Sequence, residues 1–175
     1  MAKTFDKIEK EQITPIDENL LEIKKQSIKA LKFTKCKIND VVGWRVSSKG
    51  KAKKMKDIIV PAQYKDKPVL EITYGTFNAC KLLEKISIPF VGASINDTIN
   101  NHFGYIFGAF SFTDNSSYVP TSLKTVVITG GTSIGSYAFS GCSSLTSITI
   151  GNGVTSIANY AFNNCSALTS VTIGD

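Results

Sequence analysis

Residues 133–150 read SIGSYAFSGCSSLTSITI, and residues 156–173 read SIANYAFNNCSALTSVTI. Ile134 matches Ile157, Phe139 matches Phe162, Cys142 matches Cys165 and Leu145 matches Leu168. Ile148 and Ile150 match Val171 and Ile173, and every matched pair is 23 residues apart. An earlier copy places Ile72, Phe77, Cys80, Leu83, Ile86 and Ile88 at the same internal offsets, and SLKTVVI adds Leu123, Val126 and Ile128. A fixed period of this length marks a repeat architecture. In L-x-x-I-x-I the last two apolar residues alternate, which puts them on one face of a short strand. In A-F-x-x-C-x-x-L they fall three apart, which suits a helical or 3₁₀ turn. A single unit cannot bury its own apolar side chains, so neighbours must stack.

These units resemble the BspA-like leucine-rich repeats, which read roughly I-G-x-x-A-F-x-x-C-x-x-L-x-x-I-x-I. The resemblance runs from about Asp57 to the C-terminus. It implies an α/β repeat solenoid, a leucine-rich repeat with short parallel strands and helical or 3₁₀ turns, preceded by an N-terminal helical and β cap. The expected organisation is an N-terminal helix and basic cap region over 1–56, then the solenoid over 57–175 with an inserted aromatic-rich loop region at 90–122. Members of that family are commonly surface-exposed or secreted. The opening MAKTFDKIEKEQ has acidic residues and no apolar core, so it does not read as a secretory signal. The compartment stays open between an exported protein that has lost its leader and a cytoplasmic one.

Ahead of the repeats, residues 4–12 suit a short polar helix, and about 16–30 suit an amphipathic one. The stripe Ile16, Leu20, Ile23, Ile28 and Leu31 is expected to pack on the first coil. LKFTKCKI and VVGWRV read as strands, with Trp44 in the core of the cap. SSKGKAKKMK reads as a polar loop, and DIIVPAQYKDKPVLEI as two short extended runs about a polar turn.

The rhythm breaks between Leu83 and Leu123, which stand 40 residues apart instead of 23. This insert holds Phe103, Tyr105, Phe107, Phe110, Phe112, Tyr118 and the lone His102. FGYIFGAF is expected to replace the usual helical turn, with its aromatics buried against the coil beneath. SINDTINNH and SFTDNSSYVP are expected to be surface loops.

The net charge of +6 is unevenly placed. Residues 24–67 carry fourteen basic and three acidic groups, while the flanking segments are each slightly acidic. Arg45, Lys51, Lys53, Lys54 and Lys56 are therefore candidate anion-binding residues. The cysteines at one repeat position, Cys80, Cys142 and Cys165, are expected to form a packed column of buried thiols. No C-x-x-C motif, histidine pair, nucleophile elbow or P-loop is present, so no enzyme, metal or cofactor is expected. The sequons at Asn96, Asn115 and Asn164 are short and carry no assigned role.

The function expected first is a non-catalytic protein- or glycan-recognition module, related to adhesion. Its ligand-binding candidates are the strand positions between the buried ones: Lys85, Ser87, Thr125, Val127, Ser147, Thr149, Ser170 and Thr172. The alternatives are binding of nucleic acid or another anionic polymer through residues 24–67, or a structural piece of a larger assembly. No segment is apolar enough for a membrane span. Because VTIGD ends on a repeat strand, that end is expected to be continued by further repeats or covered by self-association.

Overall fold

The computed structural model describes residues 15–95 and 97–174, so the expected helix at 4–12 and the sequon at Asn96 lie outside the described residues, as does the side chain of Ile16. Helix α1 (Pro15–Ala30) leads directly into the antiparallel hairpin β1 (Leu31–Ile38) and β2 (Val41–Ser48). The strands β3 (Asp57–Ile59), β4 (Gln63–Tyr64) and β5 (Lys67–Ile72) follow. β2 lies parallel to β5, with Val46 opposite Ile72. Gly43 permits this close approach, since a Cβ there would meet the Pro68 carbonyl oxygen at 2.5 Å. The run expected as a polar loop contains a 3₁₀ turn over Lys51–Lys54. Ala52, fully buried, anchors it in the core.

The repeats build β6 (Lys85–Ile88), β7 (Thr125–Ile128), β8 (Ser133–Ile134), β9 (Ser147–Ile150), β10 (Ser156–Ile157) and β11 (Ser170–Ile173). One wholly parallel sheet runs β11-β9-β7-β6-β3, and β8 and β10 pair in a second, two-stranded ladder. Chain copies one repeat apart are thus direct sheet neighbours. Ile86, Ile88, Val126, Ile128, Ile148 and Ile150 point inward and are fully buried, together with Leu83, Leu123 and Leu145. At the far edge, Leu168 is half-buried, while Val171 and Ile173 are 43% and 55% exposed.

The insert adds a rung to the core without interrupting it. A 3₁₀ turn over Phe103–Phe107 sits between the turns of the flanking repeats, where Phe77 N–H donates to Ile106 and Phe103 N–H donates to Ala138. The result is a continuous phenylalanine spine, with ring centroids 6.2 Å apart for Phe77–Phe107, 5.3 Å for Phe107–Phe103, 4.7 Å for Phe103–Phe139 and 5.5 Å for Phe139–Phe162. The spine buries Phe103 and Phe107 as expected, but Phe110, Phe112 and Tyr118 stay exposed.

SFTDNSSYVP differs from the expected surface loop. It forms a 3₁₀ turn over Phe112–Asp114 and a short helix α2 (Asn115–Tyr118). Asn115 is fully buried: its Oδ1 accepts from Gly104 N–H at 2.9 Å, and its Nδ2 donates to the Ala138 and Ser140 carbonyls at 3.2 and 3.0 Å. The amide thereby satisfies three backbone groups of two neighbouring turns, which an apolar side chain could not do. Gly104 is required there, because a Cβ would lie 2.4 Å from that oxygen.

Candidate functional site

The alternation along each strand divides the parallel sheet into an inward and an outward face. Two outward rows run across it in register: Lys85, Thr125, Ser147 and Ser170 in one, and Ser87, Val127, Thr149 and Thr172 in the other. Lys85, Ser170 and Thr172 are exposed, and the other five are half-buried by their row neighbours. Both rows continue onto β3, where Asp57 stands opposite Lys85 and Ile59 opposite Ser87. All eight sequence-derived candidates therefore lie on one surface, and Asp57 and Ile59 extend it by a strand that lacks the full repeat signature.

At the β3 end this surface meets α1 and deepens into a groove of about 660 Å³. Leu20, Ile23 and Lys24 of the helix form one wall, Ile59 and Pro61 the second, and Lys85, Ser87 and Val127 the floor. The helix stripe is thus only partly consumed by packing: Ile23 and Ile28 are half-buried, whereas Leu20 is 53% exposed. The reason is local. Ser27 is fully buried, donates to the Ile23 carbonyl at 2.8 Å and accepts from Ile59 N–H at 2.9 Å. That contact satisfies a donor of the sheet's edge strand and seats the helix by its C-terminal half, so Leu20 overhangs the groove. Ser27 stands four residues after Ile23 and four before Leu31, so periodicity places this serine on the apolar stripe, and a polar residue there was the available signal for the contact.

The five basic candidates do not converge. Arg45 Nε lies 2.8 Å from Glu71 Oε2, and Lys56 Nζ lies 2.7 Å from Glu84 Oε1. Each pairing raises the pKa of its cation, through the hydrogen bond to the carboxylate first. Lys51, Lys53 and Lys54 remain exposed on their 3₁₀ turn. Trp44, expected in the core of the cap, is half-buried and packs against the core: its ring meets Tyr64 edge-on at 5.3 Å, and Tyr64 stacks on Phe33 at 3.9 Å.

His102 is buried, with Nε2 3.1 Å from the Ala109 carbonyl, so its ring braces the insert's turn. Of the sequons among the described residues, Asn115 is buried, while Asn164 sits exposed at positive φ. Among the four cysteines, all unpaired, Cys80 and Cys142 are buried and Cys165 is only half-buried, which corrects the expected column of three. The Cys165 Sγ lies 3.1 Å from the Phe139 carbonyl. Burial pushes the Cys80 thiol up to about 11 and the Cys142 thiol further still. Among the described residues, no helix is long and apolar enough to cross a membrane.

Residues 110–175 match the family described as BspA type leucine rich repeat region (6 copies), a match covering less than half of the chain. No curated protein matches the sequence. Among solved structures, the chain is similar to a leucine-rich repeat protein of T. pallidum, with 20% identity and a TM-score of 0.42 over 79% of this chain and 67% of that one. It is also similar to a leucine rich cell surface protein from Faecalibacterium prausnitzii A2-165, with 24% identity and a TM-score of 0.43 over 81% of this chain and 41% of that one. A leucine-rich repeat protein from Bacteroides ovatus ATCC 8483 is 24% identical, with a TM-score of 0.34 over 82% of this chain and 39% of that one. The chain therefore spans about two-fifths of the latter two proteins. These superpositions are loose, and the architecture rests on the strand order and register described above.

Proposed function

We propose that this chain, whose residues 110–175 are BspA-type leucine-rich repeats, is a non-catalytic module that binds an extended segment of a protein partner along its outward sheet face. The observation supporting it is the continuity of two outward rows, hydroxyl-rich and nearly uncharged, with an apolar groove at their β3 end. A volume of about 660 Å³ lies within the range of roughly 300–1,000 Å³ typical of ligand clefts. Leu20, Ile23, Ile59 and Val127 offer apolar surface, and Lys24 and Lys85 stand beside them with Asp57, which leaves the groove net positive. The fitting segment places a large apolar side chain in the groove and a carboxylate within reach of the lysines. Its backbone then runs over Thr125, Ser147, Thr149, Ser170 and Thr172, whose hydroxyls donate and accept hydrogen bonds. Helix α1 and the β1–β2 hairpin serve this surface as the cap of the repeat stack.

The test is selection from a displayed library of random twelve-residue peptides on the immobilised chain. Enriched peptides should share an apolar residue flanked by Asp or Glu. They should lose binding to Val127→Asp and Ile59→Asp, and keep it to Lys37→Gln on the distant hairpin. Enriched peptides that bind all three variants equally would overturn the proposal, as would a library that yields no specific binder.

A further inference from the structure

A second concavity, of about 340 Å³, opens between the end of β2, the 3₁₀ turn over Lys51–Lys54 and the turn following β5, and it shares no lining residue with the groove beside α1. Its walls are tied together by the hydrogen bond from Thr73 N–H to the Val46 carbonyl at 2.9 Å. Lys53 is the one charged residue lining it, and no carboxylate does. Ser47, Ser48 and Asn78 add polar groups, the Ser48 hydroxyl also accepting from Gly50 N–H at 3.0 Å, whereas the Thr73 and Thr76 hydroxyls are taken up by each other at 2.8 Å. Lys53 takes part in none of the ion pairs among the described residues, unlike Arg45 and Lys56.

One wall of this cavity is Tyr74, and there the polar pocket meets an aromatic shelf. The Tyr74 ring is 43% exposed and lies 5.3 Å from the ring of Phe110, which is 79% exposed. Tyr74 is held in place from behind by Tyr105, edge-on at 5.4 Å, and by its hydroxyl, which donates to the Gly108 carbonyl. Phe110 gains almost no burial from the fold, so packing gives no reason for a phenylalanine at this position.

We propose that this pocket and shelf bind an anionic sugar, one carrying a carboxylate or a sulfate. The chemistry matches part by part. The electron-rich ring faces attract the polarised C–H face of a pyranose. Ser47, Ser48 and Asn78 exchange hydrogen bonds with ring hydroxyls. Lys53 meets the anionic group without a competing carboxylate in the cavity, and charge-assisted bonds of this kind are the stronger ones. The volume suits one or two sugar rings, at the lower end of the usual range of roughly 300–1,000 Å³ for ligand sites.

The experiment is isothermal titration of the full chain with three tetrasaccharides: hyaluronan for carboxylate, chondroitin sulfate for carboxylate plus sulfate, and chitin for the neutral case. Preference for chondroitin sulfate over hyaluronan would mark sulfate as the recognised group, and equal binding would mark the carboxylate. Lys53→Gln should weaken the anionic sugars about tenfold, bringing them to the level of the neutral one. Phe110→Ala should weaken all three to a similar extent, and Lys37→Gln should change nothing. Both tested side chains are exposed, and an unchanged melting temperature will show that each variant is folded. Absence of binding by any tetrasaccharide would overturn the proposal. So would neutral sugar binding as tightly as the anionic ones, binding indifferent to both variants, or displacement of the sugar by a single-stranded oligonucleotide at equal concentration.

Discussion

The hydroxyl of Ser27 holds the backbone N–H of Ile59 at 2.9 Å, joining the helix that precedes the repeats to the edge strand of the parallel sheet. The two residues are 32 positions apart, and the bond between them seats α1 and thereby shapes the groove. Ser27→Ala leaves a buried donor unsatisfied and should cost about 1–3 kcal/mol. Urea titration will measure this, and hydrogen exchange should show the Ile59 amide opening faster than those of Ile86 or Val126. Unchanged protection at Ile59 would mean that the helix is held by its apolar contacts alone.

Leu145 is fully buried beneath β9, whereas Ser147 lies two residues on, in the outward row. Leu145→Ala should cost about 2–5 kcal/mol, the range for large-to-small changes in a core. Ser147→Ala should stay within about 0.5 kcal/mol, as surface changes do. Equal losses in a denaturant titration would contradict the observed strand register.

Asn115 bridges Gly104, Ala138 and Ser140 from a position with no exposed surface. Asn115→Leu strands the Gly104 N–H and the Ser140 carbonyl, while the Ala138 carbonyl keeps its bond from Phe103 N–H, and the change should destabilise by about 1–3 kcal/mol even though leucine is more apolar. Asn115→Asp keeps the acceptor for Gly104 but removes the donor, so it should also destabilise. Retention of full stability by the leucine variant in thermal melts would show that the amide is dispensable.

Thiol labelling should proceed in two classes. Cys36 and Cys165 are partly accessible and should react in the native state, while Cys80 and Cys142 should react only after unfolding. Desolvation raises the Cys80 thiol from 9.0 to about 11, so the folded state favours the neutral form. The resulting stability is complete below the unfolded value near 9 and is lost as pH rises towards 11. Chemical denaturation between these limits should show the decline, and Cys80→Ala should lessen it while the contribution of Cys142 remains. Rapid native labelling of Cys142 would place that thiol outside the core.

The sequence by itself determined the repeat register, because the inward positions of a parallel stack must be apolar at one spacing whichever neighbour they meet. Ile86, Val126, Ile148 and their outward companions Ser87, Val127 and Thr149 follow from that rule alone. The α1 span and the first strands were legible for the same reason, as local periodicity. Only the tertiary structure decided the rest, since those contacts join residues with no fixed spacing. Asn115 reads as part of a surface loop, and Ser27 as a polar break in an apolar stripe, until a distant backbone group needs their side chains. Phe103 and Phe110 read alike as insert aromatics, yet one completes the phenylalanine spine and the other stands in solvent. Lys53 and Lys56 read as one basic run, but Glu84 takes the second and a cavity receives the first. Periodicity encodes which face of an element is buried, whereas the partner of a single polar or aromatic group depends on where the chain returns.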